Sequence, residues 1–364
     1  MYIPMLKARQ TELNVVKKVC DLFSDEIIPL IEILNETDYK TDTETGEFIR
    51  QKVNGRNVKI KIQSNENSTM TLENINSKIK SKKILIDYFR FRETKYGKGL
   101  NFNSLQLAWQ LSNNENMYLK YIEKVCKFKN MIPVISIKNG FEINASKLMS
   151  FIKKLHTETN SVALRITEEF LSEYVEVIEN CMNENDYLLF DIQEQNPDSK
   201  IMELIEVSLL NCDSKKILLN SPRNAKYRNS EFNENGICDL IFTSAKTLSE
   251  DNALDGFGDY CGMRDSLPTS GGSGKGAALA LFFDFKINKF YSYVEKNKDL
   301  GAGGYKNIIP IILNDSSKLD PDKDCQAMAE VYALYQRNCP GNWTTWHKIN
   351  MIRSIQQIFK YYNQ

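Results

Sequence analysis

Short apolar runs and amphipathic stretches of helical period take turns along the first two thirds of the chain. Candidate strands cover 2–6, 27–34, 83–89, 131–137, 161–166, 187–192, 216–219 and, less regularly, 239–243. Between them the spacing predicts helices from about residue 11 and over 105–128, 145–155, 168–182 and 199–210. In the first helix Leu13, Val16, Val19, Cys20 and Phe23 share one face. Parallel strands need crossovers, and helices supply them, so this alternation implies a parallel sheet with covering helices. Eight strands before residue 262 suit an α/β fold of the (β/α)8 barrel-like kind over 1–262. An open doubly wound sheet is the rival. No G-x-G-x-x-G follows the first strand, so the dinucleotide form of that rival lacks its signature.

Two stretches break the rhythm. Residues 36–68 turn polar and read either as an excursion with a hairpin around Asn54-Gly55 and 58–62 or as a loop without regular structure. The second break is Gly256-Phe257-Gly258-Asp259-Tyr260-Cys261-Gly262, with a tail through Asp265 and Pro268 to Gly276. So many glycines argue against an element interior, and the stretch reads as a loop, either a plain surface loop or one shaped around something it binds. Beyond it, 263–364 reads as a C-terminal extension packing on the barrel. It holds a β-hairpin of strands 277–285 and 289–293, a strand or helix at 305–313, and helices at 324–337 and 346–361. Trp343 and Trp346 are expected to be largely buried and to couple the last helix to the body.

Polar residues in or just after the strands carry the chemical information. They are Lys7, Glu32, Asp87, Arg90, Arg165, Asp191, Asn220 and Asp259. In a parallel barrel the C-terminal strand ends share one mouth, so these residues would converge there. A charge inside an apolar strand is costly unless it is paired or solvated at a pocket. One reading is a set of buried ion pairs, Glu32 with Lys7 and Asp191 with Arg165. The other is a pocket. Lys7, Arg90 and Arg165 would clamp a phosphate or carboxylate, and Glu32, Asp87, Asp191 and Asp259 would hold a magnesium-type ion through oxygen. On the pocket reading Lys7, Glu32, Arg165, Asp191 and Asp259 are the candidate catalytic residues. Arg90, Asn220, Tyr260 and Lys275 are the candidate binding residues.

Other chemistries lack their motifs. Forty-seven basic residues balance forty-seven acidic ones, which argues against a general nucleic-acid binder. Local basic clusters exist at Lys78, Lys80, Lys82, Lys83, Arg90, Arg92, Lys95 and Lys98, and at Lys215, Lys216, Arg223, Lys226 and Arg228. They read as solvated faces, with nucleic-acid contact as the minority reading. The eight cysteines form no C-x-x-C pair, and the two histidines, His156 and His347, belong to no zinc motif. Around Lys275 a phosphate loop would need Gly at 269 and Ser or Thr at 276, where the chain has Thr269 and Gly276. No G-x-S-x-G elbow occurs. No apolar run has transmembrane length and the first residues read as a strand rather than a leader, so a cytoplasmic protein away from membranes is expected.

Three short motifs together resemble the beta-protein family, which takes its name from the beta protein of phage T4. They are Tyr2-x-Pro4-x-Leu6-Lys7-x-Arg9-x-x-Glu12, Ile28-Pro29-Leu30-Ile31-Glu32 and Phe257-Gly258-Asp259-Tyr260. The later Gly341-Asn342-Trp343-Thr344-Thr345-Trp346 is similar to a bacterial branch of that family. The resemblance points to Lys7, Glu32, Asp191, Asp259 and Tyr260. It implies a setting of phage–host conflict: an antiphage-defence component acting with a small nuclease-like protein and recognising a ligand or partner through the barrel mouth. It implies no particular reaction. The alternatives are a metal-assisted hydrolase or phosphotransfer enzyme on a phosphate-containing substrate, and an interaction protein without pocket chemistry.

Overall fold

The computed structural model describes residues 1–42, 45, 47–62, 67–80, 82–97, 99–271 and 274–362. Eight parallel strands close into a barrel. In chain order they are Tyr2–Lys7, Leu30–Ile33, Ile84–Tyr88, Met131–Ile137, Ala163–Thr167, Tyr187–Asp191, Lys215–Leu219 and Gly256–Asp259. The first strand closes the ring by pairing with both the second and the eighth, Tyr2 opposite Phe257 and Met5 opposite Leu30. Alternation along each strand then sorts the side chains into two apolar shells. Ile3, Met5, Leu30, Leu85, Val134, Leu189 and Leu219 fill the barrel. Tyr2, Leu6, Ile31, Ile86, Ile135, Phe190 and Leu218 face outward into the layer beneath the helices. Toward the C-terminal side of the strands the ion-pairing groups Lys7, Glu32, Asp87, Arg165 and Asp191 take inner positions.

Three expectations need correction. Residues 239–243 form no barrel strand. The eighth strand is Gly256–Asp259, the stretch read from sequence as a loop. Its glycines serve close backbone approach rather than a turn. A Cβ on Gly256 would lie 2.1 Å from the Met1 carbonyl oxygen, and one on Gly258 would lie 2.5 Å from that of Ile3 and 2.7 Å from Leu219 Cδ2. The helix expected over 105–128 is two helices, Gln106–Ser112 and Glu115–Val125, because Asn114 caps the second by accepting from the Met117 amide. The helix expected over 168–182 likewise begins as a 3-10 segment, Glu168–Tyr174, before the α-helical Val175–Cys181.

Within the polar excursion, Arg50–Val53 and Arg56–Lys59 form the expected hairpin. Asn54 and Gly55 have φ of 48° and 77°, the left-handed pair that a two-residue turn requires. Beyond the barrel, Ala278–Asp284 and Lys289–Glu295 make a second hairpin, and Asn235–Cys238 adds to it as a third antiparallel strand. That sheet therefore takes one strand from between the seventh and eighth barrel strands. The long helix Trp343–Tyr362 lies across it. Arg353 donates to the carbonyls of Phe283 and Leu319, and Asn350 accepts from the Leu281 amide. Trp346 is fully buried and stacks on Tyr305 at 4.5 Å, whereas Trp343 is only half-buried. No helix among the described residues is long and apolar enough to cross a membrane.

Candidate functional site

Strand register builds a polar layer at the C-terminal mouth. Lys7 lies opposite Glu32, and Glu32 opposite Asp87, so three adjacent strands offer charges at one level. Ser136 lies opposite Arg165 two strands further on. Both ion pairs foreseen as an alternative are present. Lys7 Nζ donates to Glu32 Oε2 at 2.5 Å, and Arg165 Nη2 meets Asp191 Oδ2 at 2.7 Å. Arg165 also crosses the barrel, its Nη1 reaching Glu32 Oε1 at 2.7 Å and Asp87 Oδ2 at 2.9 Å. The Tyr260 hydroxyl donates to Glu32 Oε1 at 2.7 Å, and the Ser136 hydroxyl to Asp87 Oδ2 at 2.8 Å. Four of the five candidate catalytic residues, and Tyr260, thus belong to one network.

Asp259 does not join them. It is adjacent to Tyr260, so alternation turns it to the opposite side of the strand. There its Oδ1 accepts from the Tyr2 hydroxyl at 2.9 Å and the Cys261 amide at 2.6 Å, and burial raises its pKa. Asp265, seen in the sequence only as part of a loop, occupies the place expected for Asp259. It accepts from Lys7 Nζ at 2.8 Å and from the Tyr96 hydroxyl at 2.9 Å.

The other candidate binding residues have separate settings. Arg90 is buried with its guanidinium 3.6 Å from the Tyr118 ring centre, and it donates to the carbonyls of Ser136 and Phe141. Asn220 ties the loop after the sixth strand by donating to the carbonyls of Gln193 and Gln195. Lys275 is exposed and pairs with exposed Asp299 in the extension, away from the barrel network. Its neighbours Gly272 and Ser273 lie outside the described residues, as does Lys98 of the first basic cluster. In those clusters Lys80 and Lys83 make exposed pairs with Asp21 and Asp25, as solvated faces do.

Burial and pairing oppose each other in the network. Burial pushes the Glu32 carboxyl up, but Lys7 and Arg165 outweigh it and hold the group below its ordinary range. Asp265 is driven further down against the same burial, by Lys7 and then Lys95. Burial pulls the Lys7 ammonium down, and Asp265 and Glu32 reverse that to a net rise. With Lys7 and Arg165 among them, the carboxylates do not form a magnesium site. Among the described residues no group of three or more His, Cys, Asp or Glu side chains is placed to hold a metal ion.

Lys138 stands apart from this compensation. It follows the fourth strand directly and lines a cavity of about 280 Å3 together with Arg92, Lys95, Tyr96, Phe141 and Gln193. Its ammonium lies 4.3 Å from the Phe89 ring centre and 5.8 Å from that of Phe141. Among the described residues no carboxylate comes within ion-pair distance of it. Burial pulls its pKa down to about 7 despite the pull of Asp87. The Oδ1 of Asp87 is itself buried without a hydrogen-bond partner. The rule that singled out the other strand-end charges applies equally to Lys138, which sequence reasoning missed.

Fold and site together define a (β/α)8 barrel with a charge-paired layer of strand-end residues and, beside a cavity, Lys138 without an ion pair among the described residues. The family model described as Beta protein matches residues 2–213, and the chain belongs to the beta-protein family. A comparison with curated proteins finds no match.

Proposed function

We propose that this chain is a recognition component of phage–host conflict, that its barrel mouth takes a small anionic, phosphate-containing ligand, and that it acts with a nuclease-like protein. The setting and the partner rest on the family resemblance. The ligand class rests on Lys138. A partly exposed ammonium at the wall of a cavity, its pKa drawn down by desolvation and without a carboxylate in ion-pair reach, gains most from an entering anion. Lys95 and Arg92 line the same cavity and add attraction without filling it. The internal network beneath works as a rigid floor, since Lys7 and Arg165 are already committed to carboxylates.

Lys138→Met removes the charge and keeps most of the length. Native mass spectrometry of the purified wild-type chain should show a bound small anion that the variant lacks. Phage protection should fall to background while thermal unfolding is unchanged within about 0.5 kcal/mol, as for a residue outside the packed core. Wild-type protection by a stable Lys138→Met variant would overturn the reading.

A further inference from the structure

We propose that Arg223 and Arg264 form a binding site for a tetrahedral oxyanion, phosphate or a phosphomonoester, between the loops that follow the seventh and eighth barrel strands. Arg223 lies four residues beyond Leu219 and Arg264 five beyond Asp259, so adjacent strands deliver both to one side of the mouth. The loops after the seventh and eighth strands frequently contribute to a phosphate site in barrels of this class.

The guanidiniums are only partly satisfied. Arg223 is 6% exposed and donates from Nη2 to Asn229 Oδ1 at 2.9 Å and from Nη1 to the Gly262 carbonyl at 3.4 Å. Arg264 donates from Nη2 to the Tyr227 carbonyl. The Nε of each is buried and has no hydrogen-bond partner. Among the described residues neither makes an ion pair. The acids whose charges act on Arg264 also hold the loops: Glu194 accepts from the Ala225 amide, and Glu231 from the Arg228 amide at 2.5 Å. Burial and the neighbouring charge of Arg264 pull Arg223 down to about 9. Opposite them the long C-terminal helix brings His347, whose charged form is disfavoured by burial and then by Arg223 and Arg9.

Three other buried arginines give the comparison: Arg90 lies against the Tyr118 and Phe141 rings and donates to two carbonyls, though its Nε too lacks a partner, and the other two are better satisfied. Arg165 has three carboxylates. Arg353 has no acid, but its Nε and Nη1 both donate to carbonyls, and among the described residues no second cation lies against it. Arg223 and Arg264 instead put two like charges together with donors left over. An oxyanion supplies both missing elements: negative charge, and acceptors spaced for guanidinium forks. Arg264 is partly exposed and gives the ion its route in.

The test is thermal unfolding in sodium phosphate against sodium chloride at equal ionic strength, for wild type, Arg223→Met, Arg264→Gln and Lys138→Met. Phosphate should raise the wild-type Tm by about 2–4 °C and saturate. Lys138→Met should keep that rise, which separates this site from the cavity at the fourth strand. Arg223→Met and Arg264→Gln, each made in the Lys138→Met background so that the other cavity does not contribute, should lose it. Adenosine monophosphate tested in parallel distinguishes the sources. A rise with both ligands marks a phosphomonoester site, and a rise with phosphate alone marks a site for the free ion. If Arg223→Met fails to fold, Lys138→Met and Arg264→Gln in that background still decide the matter. No saturable rise in wild type or in Lys138→Met, or an equal rise in Arg264→Gln in that background, overturns the proposal.

Discussion

Arg165 donates to Glu32, Asp87 and Asp191 at once, from an inward position in the middle of its strand. Three carboxylates share one guanidinium, and Lys7 supplies the second cation. Such a layer contributes little net stability while intact, because desolvation offsets attraction, but it is costly to break. Arg165→Met should therefore destabilise by about 3–5 kcal/mol in urea denaturation. Arg165→Lys should recover only part of this, since one ammonium cannot repeat the planar fork. A midpoint near wild type for Arg165→Met would mean that the carboxylates below are protonated or hydrated rather than paired.

The eighth strand is where local sequence and structure part company. Gly256 and Gly258 signal a turn by composition, yet they stand in a strand because the backbone of the first strand presses against them. Gly258→Ala should cost about 1–3 kcal/mol through overpacking, more if the ring cannot relax, read as a shift in the urea midpoint at constant slope. An unchanged midpoint would show that the strand pair has room to spare. The other seven barrel strands were legible because each is an apolar run long enough to bury both faces. The charged layer was legible for the same reason, as Lys7, Glu32, Asp87, Arg165 and Asp191 interrupt such runs. Asp259 was misplaced because sequence placed it in a loop, where alternation cannot choose its face. Asp265 and Tyr96 were not found, since each reaches Lys7 or its partner from a loop or a four-residue helix that carries no periodic signal. Arg223 was absorbed into a basic cluster, and only its burial sets it apart from Lys215 and Lys216.

At the scale of the molecule, the C-terminal extension is tied to the barrel by charge as well as by apolar packing. His347 carries the pH dependence of that junction, its pKa lowered to about 4 by burial and by Arg223 and Arg9. The unfolded chain takes up this proton near the ordinary value of 6.5, so stability is complete above that pH and is lost as pH falls toward 4. Glu32 and Asp265, held below their ordinary range, add their loss only at lower pH. Tm should therefore decline between pH 7 and pH 5 in wild type and stay flatter in His347→Gln. Parallel slopes for the two would remove His347 from the account. Closure of the barrel has a further consequence, in time rather than in energy. Tyr2 meets Asp259 across 257 residues, and Lys7 meets Asp265 across 258. A ribosome adding 5–20 residues per second needs on the order of 10–50 s to bring the eighth strand out after the first. Throughout that interval the nascent chain holds Lys7 and Glu32 in water and the outer edges of its first and most recent strands unpaired. The desolvation of the whole charged layer then waits for the eighth strand and Asp265, when ring and network complete each other while the extension is still being made.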